Sequence, residues 1–226
     1  MKKKISQIKY FFLIVFPVFL YSQDADFQNW CNLEFNYKPI KKIEIGFTSS
    51  ARYTNDHSLL SRYFFDFNIR RKHNQFISYS VGYRRIYDRS IRPLETDKKH
   101  RLYCDAYYKN KINKRIKYSL RFRLQGQTDS DFSFNQNVKN KFRQKIKFIY
   151  DLKDSNLDFY SSLETFLFVY ESNKNIDQVF EKIRYQIGIV KPLIKNLDLN
   201  VSFLIQQNID ESSVFYVVRP KLTYSF

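Results

Sequence analysis

The chain contains three histidines, His57, His73 and His100, and acid–base or nucleophilic chemistry at neutral pH would be sought there first. A serine-type hydrolase needs a hydroxyl, an imidazole and an orienting carboxylate or amide within reach of one another. His57 adjoins Ser58 and His73 adjoins Asn74, both in polar stretches that read as solvated turns. His100 opens an alternating stretch beside Arg101, with Tyr103 and Asp105 further along, and is the one histidine whose setting suits such a role. No Gly-x-Ser-x-Gly elbow, no His or Cys spacing of a metal site and no glycine-rich phosphate loop occurs, so no catalytic, cofactor or metal residue is assigned.

The other residues able to do chemistry are arginines and carboxylates, and they recur at every second position. That spacing belongs to a strand, whose side chains alternate between two faces. In the last segment, Val214 to Phe226, the residues Val214, Tyr216, Val218, Pro220, Leu222, Tyr224 and Phe226 fall on one face. Arg219, Lys221, Thr223 and Ser225 fall between them. A terminal amphipathic strand ending on Phe is the usual finish of an outer-membrane β-barrel, and the same alternation runs back through the chain.

About eleven such segments can be read. Cys31, Leu33 and Phe35 oppose Trp30 and Glu34, and Ile43, Ile45 and Phe47 oppose Glu44, Gly46 and Arg52. Tyr63, Phe65, Phe67 and Ile69 oppose Arg62, Asp66, Asn68 and Arg70. Tyr79, Val81 and Tyr83 oppose Ser80, Gly82, Arg84 and Asp88, and Leu102, Cys104 and Ala106 oppose Arg101, Tyr103 and Asp105. Phe122 and Leu124 then oppose Arg121 and Arg123, Phe142 opposes Arg143, and Phe159 and Leu163 oppose Asp158 and Glu164, with Phe166 and Phe168 blurring the end of that segment. Ile183 to Ile189 opposes Arg184 and Gly188, and Leu197 to Ile205 opposes Asp198. Lys38 to Lys42 and Asp151 to Asn156 read as short turns, and Arg89 to Lys99, Gly126 to Asn137 and Glu171 to Asp177 as longer loops. Bacterial single-chain barrels carry an even number of strands. The expectation is therefore an all-β, antiparallel, up-and-down transmembrane barrel of ten to twelve strands, with Gln23 to Asn29 supplying part of a further crossing or one segment lying outside the wall.

Composition agrees with that class. Mean hydropathy is −0.52, as for a soluble protein, because each crossing dilutes its apolar face with a polar one. Aromatic residues make up 19%, with 18 Tyr and 23 Phe, too many for one core of this size but suited to a lipid-facing band. Met1-Lys2-Lys3-Lys4, the apolar run Tyr10 to Leu20 and Ser22 form a secretory signal peptide over 1–22, the run being about half of the ~20 residues a spanning helix needs. Residues 23–226 are then the barrel domain. Removing Lys2, Lys3, Lys4 and Lys9 from the formal charge of +17 leaves +13. An exported chain so charged would meet membrane lipid, lipopolysaccharide or a small anionic solute and not nucleic acid, and its basic residues also solvate turns and rims. Cys31 and Cys104 fall on the apolar face and read as small apolar residues, with no spacing that calls for a disulfide.

The inward face collects Glu34, Glu44, Arg52, Arg62, Asp66, Arg70, Arg84 and Asp88 from the first half. Arg101, Asp105, Arg121, Arg123, Arg143, Asp158, Glu164, Arg184 and Asp198 follow in the second. A narrow barrel is filled by its own side chains, and an unpaired buried charge costs several kcal/mol, so these groups are expected to cross-pair into a network. Trp30, Arg52 and Arg62, Tyr83-Arg84, His100-Arg101, Arg121-Phe122-Arg123, Phe142-Arg143, Glu164 and Arg184, in that order, resemble the family of uncharacterised Gram-negative outer-membrane barrels catalogued as domain of unknown function 2490. The resemblance spans nearly the whole mature chain, implies an outer-membrane barrel of unassigned activity, and brings no catalytic residue with it.

Three functions stay open at this point: a structural or surface-interacting monomeric barrel with a charge-filled lumen, a narrow porin-like pore for small anionic solutes, and a lipid-acting hydrolase using His100.

Overall fold

The computed structural model describes residues 25–54, 57–90, 95–129, 138–152, 155–171, 179–209 and 211–226. The signal-peptide reading of 1–22 lies outside them. Eleven strands follow one another: β1 (Ala25–Ile40), β2 (Ile43–Thr54), β3 (Leu59–Lys72), β4 (Ile77–Arg89), β5 (Thr96–Lys111), β6 (Ile116–Asp129), β7 (Val138–Leu152), β8 (Leu157–Glu171), β9 (Phe180–Ile194), β10 (Leu197–Asn208) and β11 (Ser213–Ser225). Each is hydrogen-bonded antiparallel to its neighbour in sequence, and β1 closes on β11 to complete a barrel.

The closing pair is parallel, in register from Ala25 opposite Val214 to Asn36 opposite Ser225. An odd count forces this, because a first and a last strand separated by an even number of reversals point the same way. The even-number expectation is corrected accordingly: all eleven segments are wall strands, and Ala25 to Asn29 lengthens β1 instead of making another crossing. The seam is fastened at both ends on its outer surface. Phe27 stacks on Tyr216 at 5.4 Å, and the Phe226 amide donates to the Asn36 carbonyl at 2.8 Å while its ring meets Tyr37 edge-on at 6.4 Å.

Side-chain parity is as the alternation dictates. Leu33, Phe67, Val81, Leu102 and Ile187 stand exposed on the outside, and Asp66, Ser80, Asp105, Arg123, Glu164 and Gln186 are buried inside. Aromatic rings run in cross-strand rows over the outer surface, as in Phe35, Phe47 and Phe65 on β1, β2 and β3 and the Tyr63–Tyr87 stack at 4.6 Å. Cys31 and Cys104 lie on this surface as free thiols.

Strands run further than apolar periodicity suggests. Thr96 to Lys99, read as loop, continue the β4–β5 ladder opposite Arg89 to Ile86, and Gly126 to Asp129 extend β6. The Lys38 to Lys42 turn shrinks to Lys41 and Lys42, with a register shift between Tyr37 and Ile40. Short connections, Ile40 to Ile43 and Ile194 to Leu197, lie at one rim with Phe226. The longer ones, Asp129 to Val138 and Glu171 to Phe180, lie at the other with the start of β1.

Two inward glycines are explained by their direct cross-strand partners. Gly82 faces Tyr103 and Gly188 faces Tyr160. A Cβ on Gly82 would run into the Tyr103 ring, and one on Gly188 would lie 2.8 Å from Tyr160 Cζ and 2.6 Å from Ser202 Cβ. Each tyrosine lies across the space its glycine leaves, which is how sheets accommodate glycine opposite an aromatic.

Candidate functional site: the lumen

The interior is organised first by carboxylates, each gripped from neighbouring strands. Asp66 on β3 takes a hydrogen bond from Arg84 Nε on β4 at 2.7 Å and another from the Tyr103 hydroxyl on β5 at 2.6 Å. Asp105 receives both Nε and Nη2 of Arg123 at 2.6 and 2.7 Å, together with the hydroxyls of Tyr107 and Ser80. Glu164 is held by Arg143 through Nε and Nη2 at 3.0 and 2.6 Å, and by Arg121. Such forked contacts require the planar guanidinium. Nearer the long-loop rim, Asp88 pairs with Arg62 and with Lys99 at 3.0 Å. Toward the opposite rim Glu44 accepts from Arg70 at 2.8 Å and Glu34 from Lys221 at 2.9 Å. All but five of the predicted inward charges named for the network thus meet an opposite charge.

The exceptions are Asp158, Asp198, Arg52, Arg101 and Arg184, which form no ion pair among the described residues. Arg101 donates to Gln127, and Arg184 Nε to Gln206 at 2.7 Å. Arg52 Nε is buried without a hydrogen-bond partner. What holds Arg52 and Arg184 is aromatic. The Arg52 guanidinium carbon lies 3.9 Å above the Trp30 ring and 5.3 Å from Phe64, and Arg84 covers the other part of Phe64 at 4.1 Å. Arg184 lies 5.0 Å from Trp30 and 4.5 Å from Phe166, which Arg143 also covers at 4.3 Å. Arg143, Phe166, Arg184, Trp30, Arg52, Phe64 and Arg84 therefore form one alternating belt of cations and rings across β7, β8, β9, β1, β2, β3 and β4. Cation–π contacts strengthen when desolvated, to about 2 kcal/mol each.

Between β9 and β1 the belt passes β10 and β11, which supply Leu204 and Val217. These pack with Trp30 and Phe215 as an apolar cluster, and Ile86 is buried on β4. The lumen is accordingly not polar throughout: beside the expected Arg–carboxylate pairs it holds buried rings. Phe64, Phe166 and Phe168 are inward seats, the last for Lys141 at 4.6 Å. The signal was present in the sequence as aromatic residues standing at the polar parity beside arginines on adjoining strands.

Cavities surround the belt. A vestibule of about 420 Å³ opens at the long-loop rim among Gln28, Thr54, Asp88, Asn208 and Glu211. A smaller chamber of about 80 Å³ and a deeper one of about 190 Å³ adjoin it, and Arg52 and Arg184 line all three.

His100 does not assemble a hydrolytic site with Asp105. The two lie on opposite faces of β5, and His100 Nδ1 is hydrogen-bonded to the Tyr83 hydroxyl at 2.6 Å on the outer surface. His57 sits in the turn after β2 with φ 70°, and His73 in the turn after β3. Among the described residues no group of His, Cys, Asp and Glu could hold a metal ion.

A family model described as "Protein of unknown function (DUF2490)" matches residues 27–214, from the beginning of β1 into β11. The comparison with curated proteins finds no match.

Proposed function

Since the chain belongs to the DUF2490 family, which carries a fold and no assigned activity, we propose from the barrel itself that it is an integral outer-membrane protein with an occluded lumen. It spans the membrane as a monomer, its aromatic exterior in lipid, and works by what it presents on the long-loop side, not by conducting solute. The observation that carries this reading is the belt from Arg143 to Arg84, whose stacked side chains cross the interior between the vestibule and the deeper chamber. Closed barrels leave no strand edge unsatisfied, which is what a lipid environment demands of a sheet. The placement of His100 against Tyr83, away from Asp105, favours a non-catalytic role.

Purified protein reconstituted in a planar bilayer should give no unitary current. Reproducible anion-selective steps would replace this reading with the narrow-pore one. Fractionation tests the location: the chain should partition with outer membrane and change electrophoretic mobility on boiling in detergent, and recovery as a soluble periplasmic protein would refute it.

A further inference from the structure

The chamber of about 80 Å³ carries a strong excess of positive charge, as does the deeper one, whose wall sets nine cationic side chains against Asp66 and Glu164. The wall of the smaller chamber holds Arg52, Arg62, Arg84, Arg101, Arg143 and Arg184 with Lys141 and Lys182, against one carboxylate, Glu181. Glu181 is itself held between the two lysines, at 2.8 Å from Lys141 and 2.6 Å from Lys182. Arg62, Arg84 and Arg143 have their carboxylates in Asp88, Asp66 and Glu164. Arg52, Arg101 and Arg184 have none among the described residues.

Strand register sharpens the problem. Arg52 stands directly opposite Arg62, and Arg84 directly opposite Arg101, so two like-charged cross-strand pairs share the chamber with one carboxylate apiece. Like charges in that position repel, and removal from water magnifies the cost. A lysine could relieve it by losing its proton, but a guanidinium cannot. A bound anion supplies the counter-charge that Arg52, Arg101 and Arg184 do not find in an ion pair of their own. Aromatic seats under Arg52 and Arg184 fix the guanidinium planes while leaving their edges as donors, the arrangement by which arginines take up planar or tetrahedral oxyanions.

We infer that this chamber is a binding site for a phosphate-class oxyanion, admitted through the vestibule and held by Arg52, Arg101 and Arg184. The space equals that of a few water molecules, enough for one phosphate group and too little for a nucleotide. The vestibule adjoins it and shares Arg52, Arg62, Glu181, Lys182 and Arg184 as lining, so the phosphate enters from that side as the free ion or on a larger molecule whose remainder stays in the vestibule. The inference rests on the occluded-lumen reading, since a freely conducting pore would exchange its counter-ions with bulk solvent.

The test is calorimetric titration of the full folded barrel in neutral detergent with inorganic phosphate, and separately with micelles containing an anionic phospholipid, at matched ionic strength. Saturable one-to-one binding is expected, accompanied by an upward shift in melting temperature. Arg52→Gln and Arg184→Gln should each weaken it about tenfold, the loss of one charge-assisted hydrogen bond. Lys38→Gln, at the opposite rim, should leave it unchanged. Binding of free phosphate assigns the free ion, and binding of the lipid alone, equally sensitive to Arg52→Gln, assigns a lipid-borne phosphate. Heat that does not saturate, equal stabilisation by chloride, or binding that persists in both arginine variants overturns the inference. Should either glutamine variant misfold, Arg101→Gln, whose side chain takes no part in the aromatic belt, supplies the same comparison. Conductance measured on the same preparation separates the two ideas: current with phosphate binding removes only the occlusion, and silence without binding removes only the site.

Discussion

The Arg52 guanidinium carbon lies 3.9 Å from the centre of the Trp30 ring, and the two residues are directly opposed across the β1–β2 ladder. Trp30 is buried, also meets Arg184 at 5.0 Å and packs with Leu204 and Val217. One side chain therefore joins the cationic belt to the apolar cluster beside the seam. Trp30→Ala is expected to destabilise the barrel by about 3–5 kcal/mol, the range for deleting a buried Trp. Urea titration of the protein refolded into detergent measures it, and a loss near zero would mean the belt contributes no stability.

The depth of each ion pair sets its worth. Asp105 and Arg123 have side chains 1% and 6% exposed, whereas Lys38, beside Glu44, is 49% exposed. Asp105→Asn strands a buried guanidinium and should cost about 3–5 kcal/mol. Lys38→Gln should cost under about 1 kcal/mol. Unfolding midpoints of the two variants, compared at low and high salt, check the ordering.

The Gly82–Tyr103 pair predicts a non-additive substitution. Gly82→Ala places a methyl in the Tyr103 ring and should cost about 1–3 kcal/mol by overpacking. Tyr103→Ala removes that clash together with the hydrogen bond to Asp66 and the seat of Arg123 at 3.7 Å. The double variant should be more stable than the sum of the singles implies. Additivity in a double-mutant cycle would show that the ring is not confined by the glycine.

Cys104 supplies a probe of the exterior. It is exposed on the outer face of β5, between the exposed Leu102 and the half-buried Ala106. In membranes it should react with an apolar maleimide and resist a charged, membrane-impermeant one, and the protection should vanish in denaturant. Rapid labelling of native membranes by the charged reagent would contradict burial of this face in lipid.

How much of this is legible in the sequence depends on whether a feature is local. Inward and outward assignments for Arg62, Asp66, Arg84, Asp105 and Glu164 needed only the period of two, which each strand carries by itself. Strand ends did not follow, because Thr96 to Lys99 are polar on both faces above the apolar band and carry no alternation to read. Partners across the seam did not follow either: Lys221 meets Glu34 only because β11 closes on β1, and nothing near either residue announces it. The belt was half visible. Phe166 and Phe168 looked like a lapse in the pattern, yet both are inward rings under cations, and the lapse marked the site.

An odd-numbered wall gives the polypeptide two different exits. Ala25 lies at the long-loop rim and Phe226 at the short-turn rim, so epitopes fused at the two positions would be separated by the full height of the barrel. In sealed vesicles a protease supplied on one side should shave one tag and spare the other, whereas a barrel with paired exits would lose both or neither.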